Sequence, residues 1–430
     1  MMNRTLYSIL LYLAVPFIWL RLQFRARQAP AYRQRIAERF ALKKLAFKPG
    51  GIWLHAVSVG ESIAAAPVIK QLQQLYPQLP ITLTCMTPTG SERIQALFGD
   101  SVQHCYLPYD LPCAAKRFLN QVQPKLAIVM ETELWPNHIH QCYLRSIPVV
   151  LANARLSERS AKGYAKFQRL TAPMLAELSG IAVQSQAEAE RFLQLGAQST
   201  AVQVTGSIKF DLNVAPELLQ SAAQLADTWH LASRFVWVAG STHAGEDELI
   251  LQAHQQLLQQ VPEALLILVP RHPERFNQVA QLIEQQGLRS VRRSQQNPLQ
   301  MADQVLLGDS MGELMLWYAV ADAAFVGGTW VDNGGHNFLE PAALAKPIAA
   351  GPSRFNFLEI AEQLQQAGAL TLVSTPSALA EQLLGWRQSE ALRQQQGQAG
   401  IKVLQQNQGA LAQLIGLLQQ QLEKAGSSSV

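Results

Sequence analysis

A chain of 430 residues with 48% hydrophobic and 15% charged side chains is globular and rather apolar, which excludes a disordered protein. It is too long for one ordinary core, so two domains of roughly 150–200 residues each are expected. The net charge of +4 is modest and unevenly placed, and no nucleic-acid partner is expected. Cys85, Cys105, Cys113 and Cys142 show no C-x-x-C or metal-ligand spacing, so they read as buried thiols of a reducing compartment, with no metal and no cofactor expected.

The charge asymmetry lies at the start. Leu6 to Leu20 is almost wholly apolar, with Pro16 inside it. At 1.5 Å per residue such a helix reaches about 22–24 Å, short of a ~30 Å hydrocarbon core. Arg21, Arg25, Arg27, Arg33, Arg35, Arg39, Lys43, Lys44 and Lys48 follow, against the single acid Glu38. A secretory signal carries its charge before the apolar run. Here it comes after, which keeps the body of the protein cytoplasmic. Residues 1–22 therefore read as a membrane anchor, spanning or re-entrant. Residues 23–48 read as a basic segment laid on anionic phospholipid. An ordinary buried helix is the competing reading.

From Gly50 strands and helices alternate. Strands are predicted at Ile52–Val57, Ile81–Thr87, Val102–Leu107, Leu126–Glu131, Pro148–Ala152, Ile181–Gln184 and Val202–Val204, with helices between them. Ala215–Arg234 reads as a polar helix or linker at the boundary. A second series follows at Phe235–Ala239, Leu265–Val269, Val305–Leu307, Ala323–Val326, Pro347–Ala350 and Leu370–Val373. Short apolar strands spaced by helices indicate parallel sheets covered on both faces. The expected fold is α/β, with two doubly wound Rossmann-like domains, 49–212 and 213–430, facing a cleft. The second is expected to include a terminal Gln- and Leu-rich helix.

Several strand ends carry polar groups, where open α/β sheets bind ligands. Glu61 follows the first strand through His55-Ala-Val-Ser-Val-Gly-Glu61; alone it could be a first-turn helix acid. Met130-Glu-Thr-Glu-Leu-Trp-Pro-Asn137 sets Glu131 and Glu133 directly after a buried strand, where carboxylates are costly unless paired or functional. Lys209, in Gly206-Ser-Ile-Lys-Phe-Asp211, reads equally as an anion contact or a surface lysine. Arg271 and His272 follow Pro270, and the arginine can fork a phosphate. In Gly308-Asp-Ser-Met-Gly-Glu-Leu314, Ser310 could cap a helix, and the Met311–Gly312–Glu313 backbone could meet a base or phosphate. Finally, Phe325 to Pro341 gives a strand, the pairs Gly327–Gly328 and Gly334–Gly335, and then a helix expected over Asn337–Ala345. Its N-terminus could hold a phosphate, and Glu340, one turn in, could take a ribose. His336 reads as a loop hydrogen-bonder. No Walker loop, metal cluster or dinucleotide fingerprint is present.

Together with Lys48-Pro-Gly-Gly, Met86-Thr-Pro-Thr-Gly-Ser-Glu92 and Tyr106-Leu-Pro-Tyr-Asp110, these motifs resemble those of bacterial 3-deoxy-D-manno-octulosonic acid (Kdo) transferases over essentially the whole chain. These are inner-membrane glycosyltransferases of lipopolysaccharide assembly. The resemblance implies the two-domain GT-B fold, the donor CMP-Kdo and the lipid A precursor, lipid IVA, as acceptor. It implies a metal-independent, inverting enzyme on the cytoplasmic side of the inner membrane, in contact with phospholipid. It implies Glu61 as general base, Glu131 and Lys209 as transition-state stabilisers, and CMP contacts at Pro270, Arg271, Met311, Gly312, Glu313, Asn337, Phe338, Leu339 and Glu340. Phe338 departs from the small residue or proline expected there. The residues by themselves leave open a UDP-sugar transferase or epimerase of the same build, and a non-catalytic nucleotide-binding membrane protein.

Overall fold

The computed structural model describes residues 2–427. It divides into two compact domains, one running to Asp211 and resuming at Gln408, the other Leu212–Asn407. The first holds seven parallel strands, β1 (Ile52–His55), β2 (Ile81–Cys85), β3 (Gln103–Tyr106), β4 (Leu126–Met130), β5 (Val149–Ala154), β6 (Gly180–Val183) and β7 (Val202–Val204). Their order is β3-β2-β1-β4-β5-β6-β7, so the winding reverses between β1 and β4. Alternate residues feed two cores. Trp53, Val129 and Leu151 join Phe118 and Phe192 on one face, while Leu54, Ile128 and Val150 join Val68, Leu72 and Leu414 on the other.

The second domain repeats the scheme with β8 (Val236–Thr242), β9 (Leu265–Pro270), β10 (Ser290–Arg292), β11 (Val305–Leu307), β12 (Ala323–Val326), β13 (Ile348–Ala350) and β14 (Leu370–Leu372). The order is β10-β11-β9-β8-β12-β13-β14, again all parallel, with the reversal between β8 and β12. The short, polar edge strand β10 carries too little apolar pattern to show in the sequence.

Three expectations change. The second domain ends at Asn407 and not at 430. The helix Ala410–Ser427 belongs to the first domain, where Leu414 and Leu418 are fully buried and the helix packs on β4 and β5. The Asp211 carboxylate starts that helix by accepting the Gly409 and Leu411 N–H groups at 2.6 and 2.7 Å. The basic segment 23–48 is not uniformly a surface. Arg39 is 1% exposed, gives a hydrogen bond to the Met86 carbonyl at 2.9 Å and stacks 3.9 Å from the Tyr106 ring. Arg35 bonds Glu38 and Ser91. The other cations of the segment face solvent.

The N-terminal helix, Arg4–Gln28, is long and apolar enough to cross a membrane. It carries two stripes at helical spacing. Ser8, Leu11, Val15, Leu22 and Ala26 face the first domain: Ser8 donates to Asn137 at 3.0 Å, Leu11 and Val15 pack on the core, and Leu22 and Ala26 are buried. Leu6, Leu10, Leu13, Phe17, Leu20 and Phe24 are exposed along another side.

Leu414→Ala should lower the stability of the first domain by about 2–5 kcal/mol, the cost of a cavity in a closed core. Urea unfolding followed by hydrogen exchange in β4 and β5 measures this, and protection in β8 and β12 should stay unchanged.

Candidate functional site

Both reversal points gather the polar strand ends. In the first domain Ser58 caps the helix Val59–Leu75, accepting the Glu61 N–H at 3.4 Å. The Glu61 carboxylate turns back, accepting the Val57 N–H at 2.8 Å and the Ser58 hydroxyl at 3.2 Å. It is thereby held against the end of β1 and not extended into solvent. Burial, opposed by the Val57 bond and reinforced by the charges of Glu131 and Glu133, raises its pKa to about 7.

Glu131 leaves β4 in the left-handed region, at φ 53°, a costly conformation for a side chain of this size. Its carboxylate lies 3.9 Å from Lys209 Nζ, and both side chains are about a quarter exposed. Lys209 rides on the turn Ile208–Phe210 after β7. Asn153, at the end of β5 and also at positive φ, fixes that turn by accepting the Ile208 N–H at 3.2 Å. Burial pushes the Lys209 pKa down, and Glu131 and Glu61 oppose that. Glu133 is raised by burial and by Glu131. Glu61, Glu131, Glu133 and Lys209 thus form one coupled group.

In the second domain the organiser is Glu246, which the sequence reading passed over. Its carboxylate is fully buried and accepts four backbone N–H groups: His243 at 3.0 Å, Gly328 at 2.7 Å, and Thr329 and Trp330 at 2.9 Å each. It ties the loop after β8 to the loop after β12. Gly327 permits this approach, since a Cβ there would lie 2.6 Å from the Ser241 carbonyl oxygen. The two loops also meet through His243 and His336, whose rings stack 5.0 Å apart with Nε2 atoms 2.7 Å from each other. Burial lowers both pKa values to about 4, so the pair is neutral.

Arg271, after β9, makes no side-chain hydrogen bond or ion pair among the described residues, and its charge acts on His243, His336 and Glu340. Glu340 is raised by burial and receives the Asn337 amide at 3.1 Å. The helix there is shorter than expected: it spans only Leu339–Ala343, and Glu340 lies in its first turn. Asn337 instead makes a turn, its Oδ1 accepting the Leu339 N–H. A phosphate seat on a long helix N-terminus is therefore not built here. Phe338 and Leu339 are fully buried, Phe338 edge-on to Phe357. Met311 and Gly312 are exposed, with Gly312 at φ 88°. Ser310 does not cap the following helix; its hydroxyl bonds Glu313, whose carboxylate is engaged by Arg293 at 2.8–3.3 Å. Pro270 is the buried last residue of β9, and His272 is exposed.

Glu246→Ala would strand four N–H donors and should cost the second domain about 3 kcal/mol or more. Urea unfolding of this variant is the measurement; an unchanged midpoint would show that the loops do not depend on it.

Residues 34–212 match the family described as 3-deoxy-D-manno-octulosonic-acid transferase (kdotransferase). The chain is 49% identical over 426 residues to the 3-deoxy-D-manno-octulosonic acid transferase of Haemophilus influenzae, covering 98% of this chain and 100% of that one. It is 36% identical to the Bordetella pertussis enzyme of the same description, over 86% of this chain and 87% of that one. A glycosyltransferase structure from Rickettsia africae superposes with a TM-score of 0.54 at 15% identity, covering 89% of this chain and 99% of that one, a likeness of fold. Identity of this extent over nearly the whole of both chains, in a molecule of two parallel-sheet domains of the GT-B kind, places the chain in the 3-deoxy-D-manno-octulosonic acid transferase family.

Proposed function

We propose that this enzyme moves Kdo from CMP-Kdo to the lipid A precursor, lipid IVA, with inversion. The observation that carries the chemistry is Glu61, held at the first reversal point with a pKa raised to about 7 beside the Glu131–Lys209 pair. A base works best when its pKa lies near the working pH. In this reading Glu61 takes the proton of the acceptor hydroxyl as its oxygen attacks the anomeric carbon. The bond from that carbon to the CMP phosphate oxygen breaks, and CMP departs with the electron pair. Lys209, kept charged by Glu131, balances negative charge in the transition state. In the second domain Arg271 takes the phosphate, Glu340 the ribose hydroxyls, and Pro270, the Met311–Glu313 loop and the Asn337–Leu339 backbone complete the nucleotide contacts. The unpaired Arg271 guanidinium supports this, because a guanidinium can fork a phosphate.

The N-terminal helix fits an acceptor that stays in the bilayer. We place it in the plane of the cytoplasmic face of the inner membrane. One stripe stays docked on the protein, while Leu13, Phe17 and their neighbours enter lipid and Arg21, Arg25 and Arg27 meet anionic head groups.

Two outcomes test these readings. Glu61→Gln should lower turnover about 10²–10⁴-fold while CMP affinity survives. The wild-type rate should rise with pH through about 7 as Glu61 loses its proton, and that limb should vanish in the variant. A folded variant retaining more than about a tenth of turnover would end the base assignment. For the helix, a Leu13→Lys, Phe17→Lys double variant loses roughly 3–6 kcal/mol of apolar burial, on the order of 10²–10⁴-fold in vesicle affinity. Co-sedimentation with anionic vesicles as complete as wild type, at low and high salt, would show that this stripe does not touch lipid.

A further inference from the structure

Cations cluster on one piece of the first domain that the chemistry above does not use. Arg155, Arg159, Lys162, Lys166 and Arg169 fall within fifteen residues, and all five are exposed. The one acid in that stretch is Glu158, which pairs with Lys162 at 2.6 Å. The other four cations make no ion pair or side-chain hydrogen bond among the described residues. Arg159, Lys162 and Lys166 stand at i, i+3 and i+7 along the helix Glu158–Ala165 and its C-cap. They therefore share one face, about 10 Å long at 1.5 Å per residue. The opposite face carries Ala161 and Tyr164, which pack on the core.

The helices packed around this face leave its charge in place. The helix Gln168–Ala176 brings no acid. In the helix Gln186–Gln194, Glu188 is buried and accepts the Leu156 N–H at 3.0 Å and the Ser185 hydroxyl at 3.1 Å. Glu190 is exposed and accepts the Gln186 amide at 3.4 Å, while Arg191 adds a cation whose charge reaches Glu158. The face also starts beside the reacting groups. Arg155 follows the end of β5, its carbonyl accepts the hydroxyl of Thr132, between Glu131 and Glu133, and its charge reaches Lys209. Tyr164 lies within reach of the Glu133 charge and of Tyr7 in the N-terminal helix. The cations assigned above to head groups lie elsewhere. Arg21, Arg25 and Arg27 follow Tyr7 by about 21–30 Å along that helix. A basic face beside Glu131 and Lys209, apart from the cations that meet bulk phospholipid, suits an anion carried by the substrate itself.

We propose that the face formed by Arg159, Lys162 and Lys166 binds the phosphate groups of the glycolipid acceptor and so brings its sugar hydroxyl up to the reacting groups. The acceptor named above is a disaccharide lipid that carries phosphates, and exposed cations hold such groups through charge-assisted hydrogen bonds. This role rests on that lipid being the acceptor, and it specifies the surface that selects it.

The triple variant Arg159→Gln, Lys162→Gln, Lys166→Gln tests it, because it removes exposed charges, keeps helix-forming side chains and leaves the core untouched. With lipid IVA dispersed in detergent, the acceptor KM should rise about tenfold, with kcat and the CMP-Kdo KM within about twofold of wild type. The wild-type acceptor KM should climb with added salt, and that dependence should flatten in the variant. Lipid IVA stripped of its phosphates should cost the wild type the same factor and the variant nothing further. An unchanged acceptor KM, or losses that multiply when phosphates and cations are removed together, would overturn the proposal. So would weaker binding to anionic phospholipid vesicles with the detergent KM intact, since the face would then meet bulk lipid. Equilibrium binding of lipid IVA without donor separates this proposal from the acceptor reading. Failure of that reading leaves the wild type without affinity and overturns both, whereas failure of this face alone leaves wild type and variant equally tight. Matching melting transitions confirm that the variant is folded.

Discussion

A carboxylate inside a protein must be supplied with hydrogen bonds or it will not stay ionised, and this fold meets that constraint repeatedly with backbone N–H groups. Glu246 accepts four of them and so defines two loops at once. Asp110 accepts two from the start of the helix Pro136–Tyr143. Asp211 accepts two from a segment about 200 residues further on. Each acid converts a strand end, where the chain would otherwise wander, into a fixed point. The strand-end loops can then carry reactive groups because their backbone is already held.

Against that background Glu61 is under-supplied. One backbone N–H and one hydroxyl support it, while burial and two neighbouring carboxylates oppose its charge. The acids above are held by two to four backbone N–H groups each, whereas Glu61 is held by one. The same logic covers Lys209, whose burial is offset by Glu131. The left-handed backbone at Glu131 is costly, and it aims the side chain at this lysine.

Much of this was legible in the sequence because apolar strands flanked by turn residues report a parallel sheet directly. The strands of both domains fall where the apolar runs are, with ends moved by a few residues. The exception was β10, whose Ser290 and Arg292 flank one buried valine. Glu61, Glu131, Glu133 and Lys209 were visible as polar groups set against strand ends. Glu246 was not, since nothing local separates it from the acids beside it, Asp247 and Glu248; its meaning lies in N–H groups more than 80 residues away. The short helix at Leu339 was overestimated because Asn337 and Phe338 look like a helix start. In fact Asn337 closes a side-chain turn and Phe338 fills the core. The basic segment misled for a related reason: charge counts do not show that Arg35 and Arg39 turn inward on Tyr106.

The closure of the first domain by the helix Ala410–Ser427 has a consequence for biosynthesis. The N-terminal apolar helix and the helices between β1 and β7 leave the ribosome early, but the part of the β4 and β5 face that meets the helix Ala410–Ser427 stays uncovered until the whole second domain has been made. That second domain is, in folding terms, an insertion within the first. It is continuous in sequence and can complete its own core during translation. The nascent first domain must meanwhile wait with an apolar sheet face open. A chain that stalls before residue 408 would expose the surface on which its own aggregation, or its recognition by chaperones, would begin.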